Sequence, residues 1–137
     1  MSFREKIAWI SLLATGAIYG WYFLTASPFA ASDGARAAPL LQLAILLTVA
    51  HVVLITAAAA FSPGDAASPP DERDALIALK GSRAGYAVLV TGALASCIAG
   101  LYFGVGGVVL ANGVLLALAV ANMAKDAFQI LHYRRGA

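Results

Sequence analysis

Asp71-Glu72-Arg73-Asp74-Ala75-Leu76-Ile77-Ala78-Leu79-Lys80-Gly81-Ser82-Arg83 is a short charged stretch between long apolar runs. It holds six of the sixteen charged side chains of the chain. Asp71 follows Pro69-Pro70 and suits a helix N-cap, and Glu72 and Asp74 place negative charge at the positive end of the helix dipole. Lys80 and Arg83 stand about two turns further on, where long basic side chains can snorkel to a membrane surface. Projected at 100° per residue, Asp71, Asp74, Ala75, Ala78, Gly81, Ser82 and Gly85 share one sector. That small-residue sector predicts a helix-contact face, with Gly81 and Gly85 letting a neighbour approach closely.

Outward from this stretch the chain is apolar. Of 137 residues, 61% are hydrophobic and 12% charged, against roughly 25% charged in a soluble domain. The apolar residues fall into runs near the ~20 residues that cross a bilayer. The expected fold class is all-α: an integral membrane four-helix bundle forming a single transmembrane domain. Its spans are expected at about 7–25, 40–61, 84–103 and 108–124, the last with a cytoplasmic helical extension to about 135.

The first span carries Trp9 near one end and Trp21 and Tyr22 near the other, as interfacial aromatic belts do. Gly16 and Gly20 form a small-residue pair, and Gly100 and Gly104 a second one before the turn Gly104-Val105-Gly106-Gly107. A basic start and the Ala-rich residues 26–31 also fit a signal peptide. The long run ending in bulky aromatics argues for a retained span instead. Residues 27–38 are expected as the longer non-cytoplasmic loop, and 62–70 as turn material, rich in Pro and Gly.

Basic residues set the orientation. With four spans, Arg4, Lys6, Arg73, Lys80, Arg83, Lys125, Arg134 and Arg135 share one side and only Arg36 lies on the other. By the positive-inside rule both termini are expected in the cytoplasm, in the cell inner (plasma) membrane. Leu12–Ala17 with Trp21–Phe23 echoes Leu89–Ala93 with Leu101–Phe103, which fits a parallel two-plus-two repeat.

Few polar residues lie at membrane depth: His51, Thr48, Asn112 and Asn122. His51 reads either as a proton relay, ligand or gate, or as a neutral imidazole bonded to a neighbouring helix. An imidazole facing lipid or capped by backbone argues against a pathway, and one lining a polar cavity argues for it. Asn122, Lys125, Gln129 and His132 follow helical spacing and share one face of the final turns. In an antiparallel hairpin, Asp71 and Asp74 are expected near Lys125, His132, Arg134 or Arg135. This cluster, with Glu72, Arg73, Lys80 and Arg83, reads as a register-fixing ion network or as a docking patch for a protein partner.

Reaction chemistry is not legible. No nucleophile elbow, zinc-protease motif or phosphate loop is present. The single Cys97 and the distant His51 and His132 suit no metal site. The expectation is a non-enzymatic integral membrane protein that presents a cytoplasmic charged patch, at the start of the third span and the end of the fourth, to a protein partner or in a regulatory role, without cofactor or metal and without direct nucleic-acid binding. Its expected partners are the lipid bilayer, a cytosolic or membrane protein, and further copies of itself. The alternative is a small oligomeric transporter or channel using His51.

Asp71-Glu72-Arg73 with Ile77, Lys80, Arg83 and Tyr86, together with Tyr133-Arg134-Arg135-Gly136, resembles an uncharacterised family of small prokaryotic membrane proteins. The resemblance covers the second half of the chain. It implies four spans, no established activity, no cofactor, and work alongside cytosolic helix-turn-helix regulators. Ala84 departs from it, since a bulkier residue is expected between Arg83 and Gly85.

Overall fold

The computed structural model describes residues 3–25, 37–61, 63–67 and 71–135, which are helical almost throughout. Most of the expected loop at 27–38, with Arg36, lies outside them, as do residues 68–70 and Gly136. The helices are α1 (Phe3–Thr25), α2 (Ala37–Phe61), the short α3 (Pro63–Ala67), α4 (Glu72–Phe103) and α5 (Gly107–Arg135). Four of them, all but α3, are long and apolar enough to cross a membrane.

At ~1.5 Å per residue, the 32 residues of α4 extend ~48 Å, beyond a hydrocarbon core of ~30 Å. Its start is set by Asp71, which is extended (φ −78°, ψ 169°) and accepts a hydrogen bond from the Asp74 N–H at 2.6 Å. This satisfies one of the donors orphaned at a helix start. Its end is set by Gly104 at φ 60°, a left-handed cap that suits glycine. Glycine at 104 therefore closes the helix, and no described helix packs there: a Cβ would meet nothing within 4 Å among the described residues.

The principal contacts follow the order α2, α1, α5, α4. The α4–α5 seam is the tightest, because glycine lets two backbones meet. A Cβ on Gly81 or on Gly85 would come within 3.0 Å of the Lys125 or the Ala121 carbonyl oxygen, respectively. Further along, Gly92 abuts Ala117, Ser96 abuts Gly113 and Gly100 abuts Leu110. The contact face differs from the projected sector. Ile77, Gly81 and Gly85 are buried, while Ala75, Ala78 and Ser82 are exposed. Burying the large Ile77 rotates the helix so that the seam follows one edge of the small-residue sector.

On its other side α5 packs against α1, where Met123 meets Gly16. Among the described residues nothing lies within 4 Å of a Cβ built on Gly20. Tyr22 leaves the expected aromatic belt: it is buried, and its hydroxyl donates to Asn112 Oδ1 at 2.7 Å. Tyr19, Tyr22, Leu43 and Ala119 form the buried cluster joining α1, α2 and α5. Leu43 is the one buried side chain described on α2, so that helix is held at the periphery. The contacts make α1 and α4 run in one direction and α2 and α5 in the other. The two helical pairs are nonetheless packed unequally, glycine seam against sparse contact.

Candidate functional site: a polar groove between three helices

A groove of about 350 Å³ is lined by Ser11 and Thr15 of α1, Leu47, Thr48, His51 and Val52 of α2, and Asn122 and Lys125 of α5. Six of these eight side chains are polar, in helices that are apolar over most of their length. Ser11 and Thr15 stand one turn apart and so present two hydroxyls on one face.

His51 does two things at once. Its Nδ1 lies 2.9 Å from the Leu47 carbonyl oxygen, which can only accept, so Nδ1 carries a proton. In the neutral ring Nε2 is then the acceptor, and its one lone pair takes a hydrogen from either Ser11 Oγ at 3.3 Å or Thr15 Oγ1 at 3.4 Å. The backbone cap occupies one nitrogen, and the other faces the groove. Hydroxyls can reverse roles, so the same two oxygens also accept from an imidazolium.

Behind the groove lies a residue whose role the sequence pattern hides. Asp126 is 2% exposed, its Oδ1 is 3.4 Å from Lys125 Nζ, and its Oδ2 is buried without a hydrogen-bond partner among the described residues. The stretch after 124 runs beside the start of α1. Trp9, Leu12, Ala127, Ile130 and Leu131 line one shared cavity, and the Arg134 guanidinium sits 5.4 Å above the Trp9 ring. Asn112, Ala119, Asp126 and Tyr133 recur every seventh residue, and the first three are buried. That heptad spacing was the available signal that Asp126 points inward.

The remaining polar candidates are placed as follows. Asn112 is fully buried and accepts from Tyr22, and its Nδ2 donates to the Val108 carbonyl at 2.9 Å, so it pins α1 to α5. Thr48 donates to the Ala44 carbonyl at 2.8 Å while lining the groove. Asn122 lines the groove beside Lys125.

The charged end closes on itself, with other partners than the hairpin suggested. Asp74 pairs with Arg4 at 3.2 Å and accepts from the Tyr133 hydroxyl at 3.0 Å. Arg73 donates to the Tyr133 carbonyl at 3.4 Å, and Arg134 lies 3.9 Å from Glu5. Lys125 pairs with its own neighbour Asp126, and His132 Nδ1 donates to the Phe128 carbonyl at 2.8 Å. The reason is the start of α1, which reaches this end and brings Arg4 and Glu5 between the two clusters. Asp71 is spent as the cap, and Glu72, Lys80, Arg83 and Arg135 are exposed. Among the described residues no group of three His, Cys, Asp or Glu side chains is placed to hold a metal ion.

Set against protein-family models, curated proteins and solved structures, the chain matches none of them.

Proposed function

We propose that this chain is a non-enzymatic, multi-pass protein of the cell inner (plasma) membrane that acts as a small oligomeric transporter or channel through the groove at His51. In this reading the four long helices form a bundle with both termini cytoplasmic, in line with eight basic residues against one. The observation that carries it is the convergence of His51, Ser11, Thr15 and Lys125 on one groove. Polar and ionisable side chains are costly in lipid and concentrate on solute or proton pathways. Among the described residues only α1, α2 and α5 wall the groove, so full enclosure calls for a second copy.

The test is flux into vesicles holding the purified chain, followed with an internal pH indicator under imposed proton and ion gradients. Wild type should show pH-dependent flux that His51→Leu abolishes; no flux from wild type sinks the reading. A second reading, a cytoplasmic docking patch for a protein partner, draws support from the exposed Glu72, Lys80, Arg83 and Arg135. It expects Asp71→Ala/Glu72→Ala/Arg73→Ala to lose partners in pull-downs from membranes. Identical partner sets would remove it.

A further inference from the structure

Asp126 has no place in a pathway built on His51 alone, yet it is the most deeply buried carboxylate among the described residues. Its two oxygens differ. Oδ1 faces the Lys125 ammonium at 3.4 Å, and Oδ2 is buried with no donor among the described residues. An unpaired buried carboxylate oxygen is costly, and a proton on it removes the charge that makes it so. Lys125 is the link to the groove: its side chain is 36% exposed, against 3% for Asp126, and it is part of the groove lining. The flexible four-carbon stem of lysine lets one ammonium serve either the carboxylate or the groove.

Resting on the pathway reading above, we propose that Asp126 is the proton acceptor of the groove and that protonating it releases Lys125 to bind a small monovalent anion. The charges balance. With Asp126 ionised, the Lys125–Asp126 pair is neutral and the ammonium is held by the carboxylate. A proton from water forms an O–H bond at Asp126 Oδ2, and Lys125 keeps its own proton, so the pair carries +1. An anion then enters and restores neutrality, and one proton and one anion are taken up together.

The donors around the ammonium suit an anion: whichever of the Ser11 and Thr15 hydroxyls is not bonded to His51 Nε2 and the Asn122 amide line the same space. A metal cation would need several oxygen ligands, whereas a proton needs one. The other titratable or charged groups on the packed elements are His51 on α2, Arg4, Glu5, Lys6, Tyr19 and Tyr22 on α1, and Glu72, Arg73, Asp74, Lys80, Arg83, Tyr86, Cys97 and Tyr102 on α4. Lys80 and Arg83 flank Gly81, which touches Gln129 and the Lys125 carbonyl, so they add positive charge at this level.

The test is infrared difference spectroscopy on the full chain in phosphatidylcholine vesicles at fixed pH. Sodium nitrate is compared with sodium gluconate at equal ionic strength. Nitrate should raise the protonated-carboxyl band in wild type and in Asp74→Asn, and should raise nothing in Asp126→Asn. Lys125→Gln keeps Asp126, so it should keep the band and lose the response to nitrate. No nitrate response in wild type overturns the proposal, as does a response that survives Asp126→Asn or Lys125→Gln. Lys125→Gln decides alone if Asp126→Asn does not fold. A nitrate response without nitrate flux sinks the transport reading and leaves this site standing; flux without the response sinks this site alone.

Discussion

Thr15 Oγ1 and His51 Nε2 approach to 3.4 Å across the α1–α2 contact, thirty-six residues apart in the chain. With Ser11 at 3.3 Å from the same nitrogen, this is a polar tie on a helix whose one described buried side chain is Leu43. Long hydrogen bonds inside membranes contribute little singly, about 0.6 kcal/mol on average. His51→Leu should therefore leave the fold intact, costing about 1 kcal/mol or less by unfolding in mixed micelles. Its large effect belongs in flux. A variant that unfolds instead would make the imidazole a structural residue.

Gly85 should tolerate no side chain. A Cβ there sits 3.0 Å from both the Ala121 carbonyl oxygen and Lys125 Cβ, and backbone cannot rotate away. Gly85→Val should cost about 1–3 kcal/mol through overpacking of the α4–α5 seam. Gly20→Ala, with nothing within 4 Å, should be neutral or stabilising by up to about 1 kcal/mol. Equal behaviour of the two variants would mean that the seam is not as close as described.

Tyr22 and Asn112 form a buried pair at 2.7 Å. Tyr22→Phe leaves Asn112 Oδ1 without its donor and should cost about 1–3 kcal/mol. Adding Asn112→Leu removes the orphaned acceptor and should recover part of that loss. A double-mutant cycle reads this as a coupling of about 0.5–3 kcal/mol. Strict additivity would contradict the bond.

Asp71 is a cap rather than an ion-pair partner, so the two acids of the charged stretch should separate experimentally. Asp71→Ala should cost about 1 kcal/mol, and Asp71→Ser should restore most of it, because a hydroxyl also accepts from the third residue of a helix. Tyr133→Phe removes the phenol donor to Asp74, a partner at 3.0 Å, and should cost about 0.5–1.5 kcal/mol. Asp71→Ser failing to rescue would assign Asp71 some other role.

The four long apolar helices, the Asp71 cap and the turn at Gly104 were legible in the residues themselves. Each depends on a local property: transfer of about 20 apolar side chains, one side-chain oxygen at a helix start, one residue free to adopt positive φ. Which side chains meet was not legible in the same way. In lipid, one apolar face is nearly as good as another, so hydropathy says little about helix rotation or lateral order. Burial of Ile77 turned the contact face of α4, the start of α1 took Asp74 and Arg134 as partners, and α5 proved to run alongside α1 past residue 124. Those choices carried Asp126 into the interior and set Lys125 beside Ser11, Thr15 and His51. The sequence alone determined four apolar helices with a charged, capped start to the third long one. Only the tertiary structure decided that the polar residues of three helices converge on one groove, because close packing between glycine-lined backbones selects one rotation of each helix.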